Sequence, residues 1–253
     1  DLRLSRGLGD VYKRQLEDCA VELKDLAEYT DKLTAIFDRN GVKGTWYAHA
    51  SVGCLHVRPV LNMKQAGGAE TMRAIAEEAF ELVRSFGGSH SGEHGDGIVR
   101  SEFNDRMFGP VLPDLFRQVK AMFDSQGMFN PGKIIDAPKM DDRELFRFAP
   151  GYEAEDFDSV LDWAAWPGAA GGFQGAVEMC NNNGACRKLT GGVMCPSYRA
   201  TRNERDAVRG RANSLRLAMS GQLGPDAMAS DAMAETMKPV SYTHLTLPTM
   251  AIV

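Results

Sequence analysis

The chain has 253 residues, of which 43% are hydrophobic and 25% are charged, as in ordinary soluble globular domains. A net charge of −5 without a basic stripe argues against partners such as nucleic acid or an anionic membrane surface. Every apolar run is shorter than the roughly 20 residues that span a bilayer. The first residues lack the apolar core of a secretory signal, which favours a cytoplasmic location, compatible with peripheral attachment to the inner membrane.

The two ends of the chain, residues 1–15 and 239–253, do not continue the patterns that lie between them. Both resemble translated adapter or vector DNA at the edges of assembled fragments. We therefore exclude them from fold reasoning and expect an internal fragment of a longer protein. The alternative is that they are genuine flexible termini.

Strand-like and helical patterns alternate through the first half of the chain. Residues 17–22 alternate as in a strand, and residues 24–39 have helical spacing that stops at Asn40-Gly41. Two apolar, β-rich runs follow, at 45–50 and 54–61, with a tight connection at 51–53.

A second helix is predicted at 70–86 because its apolar residues form a single stripe. A glycine-rich loop at 89–97 precedes a third helix at 111–123, and a Pro-Gly turn at 129–135 ends the region. This order predicts an α+β fold, with an antiparallel sheet that carries helices on one face.

Histidines lie at two neighbouring positions of the predicted hairpin. His49 and His56 are close to its turn, and Glu93 lies in the glycine-rich loop. Two imidazoles and a carboxylate can bind a divalent metal such as zinc or manganese and leave a position open for substrate. The alternative is that both histidines are hydrogen-bonded core residues.

Two further residues near this set have a chemical use. His94 follows Glu93 directly, and a neutral imidazole is a good base near pH 7. Arg58 shares a strand face with His56, from which its guanidinium could bind a substrate carboxylate. A purely structural arginine is the alternative.

Three motifs in order resemble the C-terminal cap domain of FAD-linked oxidases in the vanillyl-alcohol oxidase superfamily. They are AHASVGCLHVRP (48–59), GEHGDG (92–97) and FDSQGMFNPGKI (123–134), within a resemblance that covers about residues 16–136. The D-lactate, glycolate and D-2-hydroxyglutarate dehydrogenases that are fused to an iron–sulfur domain are the most similar branch. Cys54 stands where that family usually has Asn.

The resemblance implies a role for each matching position. His49, His56 and Glu93 would be metal ligands, and His94 would be the base that takes the proton of the substrate hydroxyl. Arg58 would contact substrate, and Asn130 would lie in the segment that returns towards the FAD-binding domain, which lies mostly outside this chain.

Three cysteines follow the predicted arm at 137–175. Cys180, Cys186 and Cys195 have the spacing C-x5-C-x8-C-P, which is looser than in ferredoxins. With the resemblance of 178–206 to the fused iron–sulfur domain, they imply an incomplete ligand set for a [4Fe–4S] cluster. We expect residues 176–238 to begin a mostly helical iron–sulfur domain. A small zinc site or free thiols are the alternatives.

The implied activity is oxidation of a D-2-hydroxy acid to a 2-oxo acid, with electrons passing through iron–sulfur clusters to a carrier or quinone. We expect the fragment to be inactive alone, and an oligomer is compatible with the sequence. One alternative is a non-catalytic iron–sulfur electron-transfer or interaction subunit. A second is a lyase or hydrolase that uses the metal without flavin.

Overall fold

The computed structural model describes residues 18–147, 152, 160–163, 172–180, 182–192 and 195–238. The predicted terminal segments at 1–15 and 239–253 lie outside these ranges, as does about half of the predicted arm. The described residues up to 147 belong to one compact unit and those from 152 onward to another. The two units are described separately.

A three-stranded antiparallel sheet forms the centre of the first unit. It consists of β1 (Cys19–Ala20), β2 (Gly44–His49) and β3 (Cys54–Pro59), in the order β1-β3-β2. A 3₁₀ turn at Ala50–Val52 joins β2 to β3 and ends at Gly53, which has φ +69°. A Cβ on Gly53 would lie 2.0 Å from the Val21 carbonyl oxygen, so only glycine fits this turn.

Two helices, α1 (Leu26–Arg39) and α2 (Ala66–Ser85), pack on one face of this sheet. Two further helices of the same unit, α3 (Asn104–Phe108) and α4 (Val111–Phe123), contact each other. One core cluster combines α1 and α2 residues with β3, and its members include Tyr29, Leu33, Phe37, Ile75, Val83, Leu55 and Val57. The predicted α+β class, an antiparallel sheet with helices, is confirmed.

Alternation along β2 and β3 separates core residues from site residues. Trp46 is paired with Val57, and its ring packs 5.6 Å from that of Phe37. Neighbouring side chains point to opposite faces of a strand. The face opposite the helices therefore carries Tyr47, His49, Cys54, His56 and Arg58.

The observed elements differ from the predicted ones mainly at their ends. Of the strand predicted at 17–22, the structure has only Cys19–Ala20 as strand, flanked by backbone hydrogen bonds from Asp18 to Leu55 and from Val21 to Gly53. Helix α2 begins at Ala66 rather than at residue 70. The short helix α3 was not predicted from the sequence. The helix predicted at 111–123 has those bounds, although several of its apolar residues are exposed, including Val119 at 55% and Phe123 at 82%.

The second unit is built from short helices: α5 (Gly172–Glu178), α6 (Pro196–Thr201), α7 (Val208–Met219) and α8 (Asp231–Met237). A 3₁₀ turn at Glu204–Asp206 immediately precedes α7. A small cluster of Cys186, Cys195 and Ala207 is buried beside Tyr198. Within the described ranges, no helix has both the length and the apolar character that crossing a membrane requires.

Candidate metal and substrate site

Two histidines meet on the face of the sheet that lies opposite the helices. His49 ends β2 and His56 lies within β3, and their ring centroids are 5.1 Å apart with perpendicular planes. The His56 side chain is 2% exposed, whereas that of His49 is 59% exposed. The pair therefore has one imidazole fixed by packing and one open to solvent.

The glycine-rich loop brings a carboxylate to these imidazoles. Oε1 of Glu93 lies 3.3 Å from Nε2 of His49 and 3.1 Å from Nε2 of His56. Nε2 of His94 lies 3.4 Å from the same oxygen, and the His94 ring stacks on that of His56 at 4.9 Å. Three imidazoles from three segments of the chain thus surround one carboxylate oxygen.

A buried carboxylate that the sequence analysis missed lies beneath this group. Asp18 is fully buried and accepts backbone N–H bonds from Glu93 at 2.8 Å and from His94 at 2.9 Å. Burial alone would raise the pKa of Asp18, but these two N–H donors and the nearby Arg100 guanidinium outweigh it and lower that pKa. Asp18 is therefore an anion at neutral pH.

Cys54 lies beside Asp18 on the same face. Its thiol donates a hydrogen bond to Oδ1 of Asp18 at 3.5 Å. Burial, followed by the Asp18 carboxylate, raises the pKa of the Cys54 thiol to about 12. One donor atom from each of Asp18, Cys54, His56 and Glu93 lies within 4.8 Å of the others, a second donor set that overlaps the predicted one.

Arg58 lies on the same face as His56, as its position in β3 predicts. Its guanidinium donates a hydrogen bond to the hydroxyl of Tyr47 and lies 4.9 Å from the centre of that ring. The Tyr47 ring in turn lies 4.8 Å from the ring of His56. Tyr47, which the sequence analysis did not single out, thus links the arginine to the histidines.

Asn130 lies in the turn after α4, exposed and with φ +47°. Its side-chain oxygen accepts a hydrogen bond from Lys133 at 3.3 Å. The same turn is attached to the glycine-rich loop, because the Ile134 N–H donates to the Gly97 carbonyl at 2.9 Å. No contact between Asn130 and the histidines is among those that the structure describes.

The predicted cysteine ligands lie in the second unit and have partners of their own. Cys186 and Cys195 are buried, and the Cys195 thiol donates to the Asp206 carbonyl at 3.4 Å. The Cys180 thiol lies 3.7 Å from the Asn182 side-chain oxygen. Among the described residues, these thiols do not form a set close enough to bind a single ion. A four-iron cluster holds its thiolates further apart, so that spacing does not test the iron–sulfur prediction.

Sequence reasoning missed Asp18 and Tyr47 for a common reason. Neither residue lies in a sequence motif for metal binding or catalysis, and each reaches the site through strand pairing. Tyr47 is paired with His56 across β2 and β3, and Asp18 precedes the pair Cys19–Leu55 of β1 and β3. Strand alternation could have indicated Tyr47, because it shares a face with His49.

Comparison with known proteins gives relatives for both parts of the chain. Residues 8–134 match the family described as FAD linked oxidases, C-terminal domain. A D-2-hydroxyglutarate dehydrogenase of Pseudomonas putida is 35% identical over 219 residues, which cover 85% of this chain and 21% of that protein. The enzyme of the same name from Escherichia coli is 34% identical over 206 residues, covering 79% of this chain and 19% of that protein.

A D-lactate dehydrogenase of Archaeoglobus fulgidus is 30% identical over 118 residues, covering 47% of this chain and 26% of that protein. The chain thus spans about a fifth of the length of the D-2-hydroxyglutarate dehydrogenases that it matches. The family match covers the sheet, the hairpin histidines and the glycine-rich loop. The chain therefore belongs to the family of FAD linked oxidases, of which it carries the C-terminal domain.

Proposed function

We propose that the chain is the metal- and substrate-binding part of a flavin-dependent dehydrogenase that oxidises a D-2-hydroxy acid to the 2-oxo acid. One observation carries this proposal: the Nε2 atoms of His49, His56 and His94 surround Oε1 of Glu93 at 3.1 to 3.4 Å. Membership of the FAD-linked oxidase family supports FAD as the cofactor.

The donor atoms fit a divalent ion held by His49, His56 and Glu93. Ligands about 2.0–2.2 Å from a tetrahedral ion are separated by about 3.3–3.6 Å. The two histidines lie 3.3 and 3.1 Å from the Glu93 oxygen, close to that separation. Asp18 and Cys54 suit this role less well, because the Asp18 carboxylate is engaged by N–H donors and the Cys54 thiol donates its hydrogen bond to that carboxylate.

His94 is the proposed base. It is 43% exposed, so it can reach a substrate that lies over the sheet face, and its Nδ1 lies 3.8 Å from Oδ1 of Asp18. A carboxylate beside one ring nitrogen orients the imidazole, so that the other nitrogen can accept the proton of the substrate hydroxyl. A bound zinc or manganese ion would polarise the hydroxyl and carboxylate oxygens of the substrate.

Arg58 is the proposed partner of a substrate carboxylate. Its contact with the Tyr47 ring and hydroxyl holds the guanidinium on the same face as the imidazoles. FAD, when bound, supplies the acceptor for the hydride of the α-carbon. We assign Asn130 to the flavin side of the site.

Metal binding by the full chain tests the ligand set. We expect one equivalent of Zn²⁺ or Mn²⁺ to bind in a calorimetric titration. His56→Ala should weaken binding by more than the roughly 10–100-fold that the outer partners of metal ligands contribute. The matched control is Phe37→Leu, which changes a buried ring that packs against Trp46 on the opposite face of the sheet. Equal affinity in wild type and His56→Ala would contradict the assignment.

Flavin reduction in the longer polypeptide tests the activity. The polypeptide would be purified without oxygen, and its flavin absorbance followed while D-2-hydroxyglutarate, D-lactate or glycolate is added. We expect one acid to bleach the flavin, and expect the bleaching to be lost in His94→Ala and after chelation. An oxidised flavin with all three acids would overturn the proposed substrate class. These three acids are chosen because the relatives include proteins named D-2-hydroxyglutarate dehydrogenase, D-lactate dehydrogenase and glycolate oxidase subunit.

We further propose that Cys180, Cys186 and Cys195 belong to an incomplete set of iron–sulfur ligands, and that electrons leave through such clusters to a carrier or quinone. The described residues of the second unit fit such a cluster only in part, since they contain three cysteines. Anaerobic addition of iron and sulfide to the longer polypeptide should give a brown cluster that becomes EPR-active on reduction with dithionite and that is lost in Cys186→Ser. A colourless product would leave these residues as free thiols.

A further inference from the structure

Asp18 has an unusual combination of burial and backbone conformation. It is 0% exposed, and its φ of 101° is one that residues other than glycine rarely adopt. Such a conformation persists where surrounding contacts fix it, and it occurs most often near functional sites. Its contacts therefore indicate what it is held in place to do.

Three successive N–H groups of the glycine-rich loop point at this one residue. The Gly92 N–H donates to the Asp18 carbonyl at 2.6 Å. The Glu93 N–H donates to Oδ1 at 2.8 Å and the His94 N–H to Oδ2 at 2.9 Å. Consecutive N–H groups form a concave anion-binding arrangement, which the Asp18 carboxylate occupies here.

Glycine at residue 92 gives the loop room to approach Asp18 closely. A Cβ at this position would lie 3.0 Å from both the Asp18 carbonyl oxygen and the Cys54 sulfur. The Ser91 hydroxyl also contacts Oδ2 of Asp18, at 3.4 Å. Every residue from Ser91 to His94 therefore contacts Asp18 directly.

Arg100 closes the other side of this arrangement. Its Nη2 lies 3.4 Å from Oδ2 of Asp18 and donates to the Gly95 carbonyl at 2.8 Å. The Arg100 carbonyl lies 3.2 Å from Nε2 of His90, another residue of the loop. A buried carboxylate needs such a counter-charge and a full set of donors to remain ionised.

We infer that Asp18 is the positioning residue of the site: it holds the loop so that Glu93 meets the imidazoles of His49 and His56 and His94 faces the substrate. This inference rests on the proposed metal site. Asp18 acts through the backbone of Glu93 and His94, and its own oxygens are engaged by their N–H groups rather than by the ion. Without the Asp18 carboxylate, Oε1 of Glu93 would no longer be held at 3.1 to 3.3 Å from the Nε2 atoms of His49 and His56.

Asp18→Asn in the full chain tests the inference, because the amide keeps one acceptor oxygen but presents an NH₂ group to the second N–H. Mn²⁺ affinity would be measured by EPR titration, and backbone exchange by hydrogen–deuterium exchange of peptides that cover residues 91–95. We expect Mn²⁺ affinity to fall by about 10–100-fold. We also expect faster exchange at residues 93 and 94, with or without Mn²⁺.

Glu102→Gln is the matched control. Glu102 is a second largely buried carboxylate of the same unit, and it accepts bonds from Arg73 at 2.7 and 2.8 Å and from the Met140 N–H at 2.6 Å. This variant should lose stability while its Mn²⁺ affinity and its exchange at 91–95 stay at the wild-type values. Should Asp18→Asn not fold, Asp18→Glu keeps the charge but displaces the carboxylate, and the same two changes are expected.

The outcomes separate this inference from the proposed function. A wild-type chain that binds no Mn²⁺ would overturn the metal site and with it this inference, whatever the exchange rates. Binding in wild type with unchanged affinity in a folded Asp18→Asn chain would overturn the positioning role alone. Unchanged exchange at residues 93 and 94 in that variant would do the same.

Discussion

The histidine cluster of the first unit and the cysteines of the second both offer metal-binding side chains, but the chain presents them differently. His49 and His56 are on paired strands, and Glu93 is on a loop that is fixed from below by Asp18. Cys180, Cys186 and Cys195 lie on turns and helix ends, where the Cys180 thiol contacts an amide oxygen and the Cys195 thiol a backbone carbonyl. The first arrangement preorganises its donors, and the second leaves them in separate local contacts.

The two regions also differ in how much core supports them. The sheet and its helices share one large buried cluster, whereas the cysteine region is organised around Cys186, Cys195 and Ala207 with Tyr198 beside them. Local stability follows the amount of buried apolar contact. The comparison teaches that the histidine site can be held by the fold itself, whereas the described residues around the cysteines form only a small core.

Removal of a core aromatic should give the largest difference between the regions. Phe37→Ala deletes a 2% exposed ring that packs against Trp46, and we expect a loss of about 3–5 kcal/mol in the free energy of unfolding. Tyr198→Ala, in the small cluster, should cost less because that ring is only partly buried. Urea unfolding followed by hydrogen exchange measures both, and equal losses would contradict the comparison.

Metal selectivity should separate the regions next. Mn²⁺ prefers imidazole and carboxylate over thiolate ligands. We therefore expect His49→Ala to lower Mn²⁺ affinity at least about tenfold, or about 1.4 kcal/mol. Replacing Cys180, Cys186 and Cys195 together by Ser should change the Mn²⁺ affinity by less than about twofold from that of the wild type. A change of that size is too small for the loss of a metal ligand. A calorimetric titration decides, and a large effect of the triple variant would show that the thiols bind the ion.

The two units should also differ in how a polar residue at a helix end responds to pH. Asp124 follows α4, and the Lys120 ammonium, with the N–H groups of Phe129 and Met128, lowers the pKa of Asp124 from 3.8 to about 2. A carboxyl whose pKa is lower in the folded than in the unfolded chain stabilises the fold at pH values above the unfolded pKa. That stabilisation disappears as pH falls from about 4 to about 2. Asp124→Asn should therefore lower the urea midpoint at pH 7 and have little effect near pH 2.

The matched change in the second unit is Ser230→Ala. Ser230 caps α8 by accepting the Met233 N–H at 3.2 Å, a contact worth about 1 kcal/mol. Serine does not titrate, so its effect on the urea midpoint should stay constant across the same pH range. A pH-dependent effect of Ser230→Ala, or a constant effect of Asp124→Asn, would contradict the conclusion that the charged Asp124 carboxylate stabilises the end of α4.

A surface ion pair should give the smallest effect. Lys32 contacts Glu28 at 2.7 Å, and both side chains are more than half exposed. Pairs with this spacing contribute about 0.2–0.5 kcal/mol. Glu28→Gln should therefore change the urea midpoint of the first unit slightly, and only at low salt. A larger loss would indicate that α1 depends on more than its buried face.

The sequence by itself determined the elements whose residues repeat with a clear period. The apolar stripes of α1 and α2, the hairpin between His49 and His56 and the glycine-rich loop were all predicted, because helical and strand periodicities are local properties of the chain. The same local patterns identified the candidate ligands, since each lies within a recognisable motif.

Only the tertiary structure decided which side chains meet. Strand pairing set Tyr47 beside His56, and the loop that carries Glu93 and His94 folded onto Asp18, which is 75 residues away in the chain from Glu93. Hydrogen bonds and ion pairs between such distant residues leave no periodic trace in the sequence. Asp18 is therefore invisible as a site residue until the sheet and the loop are assembled around it.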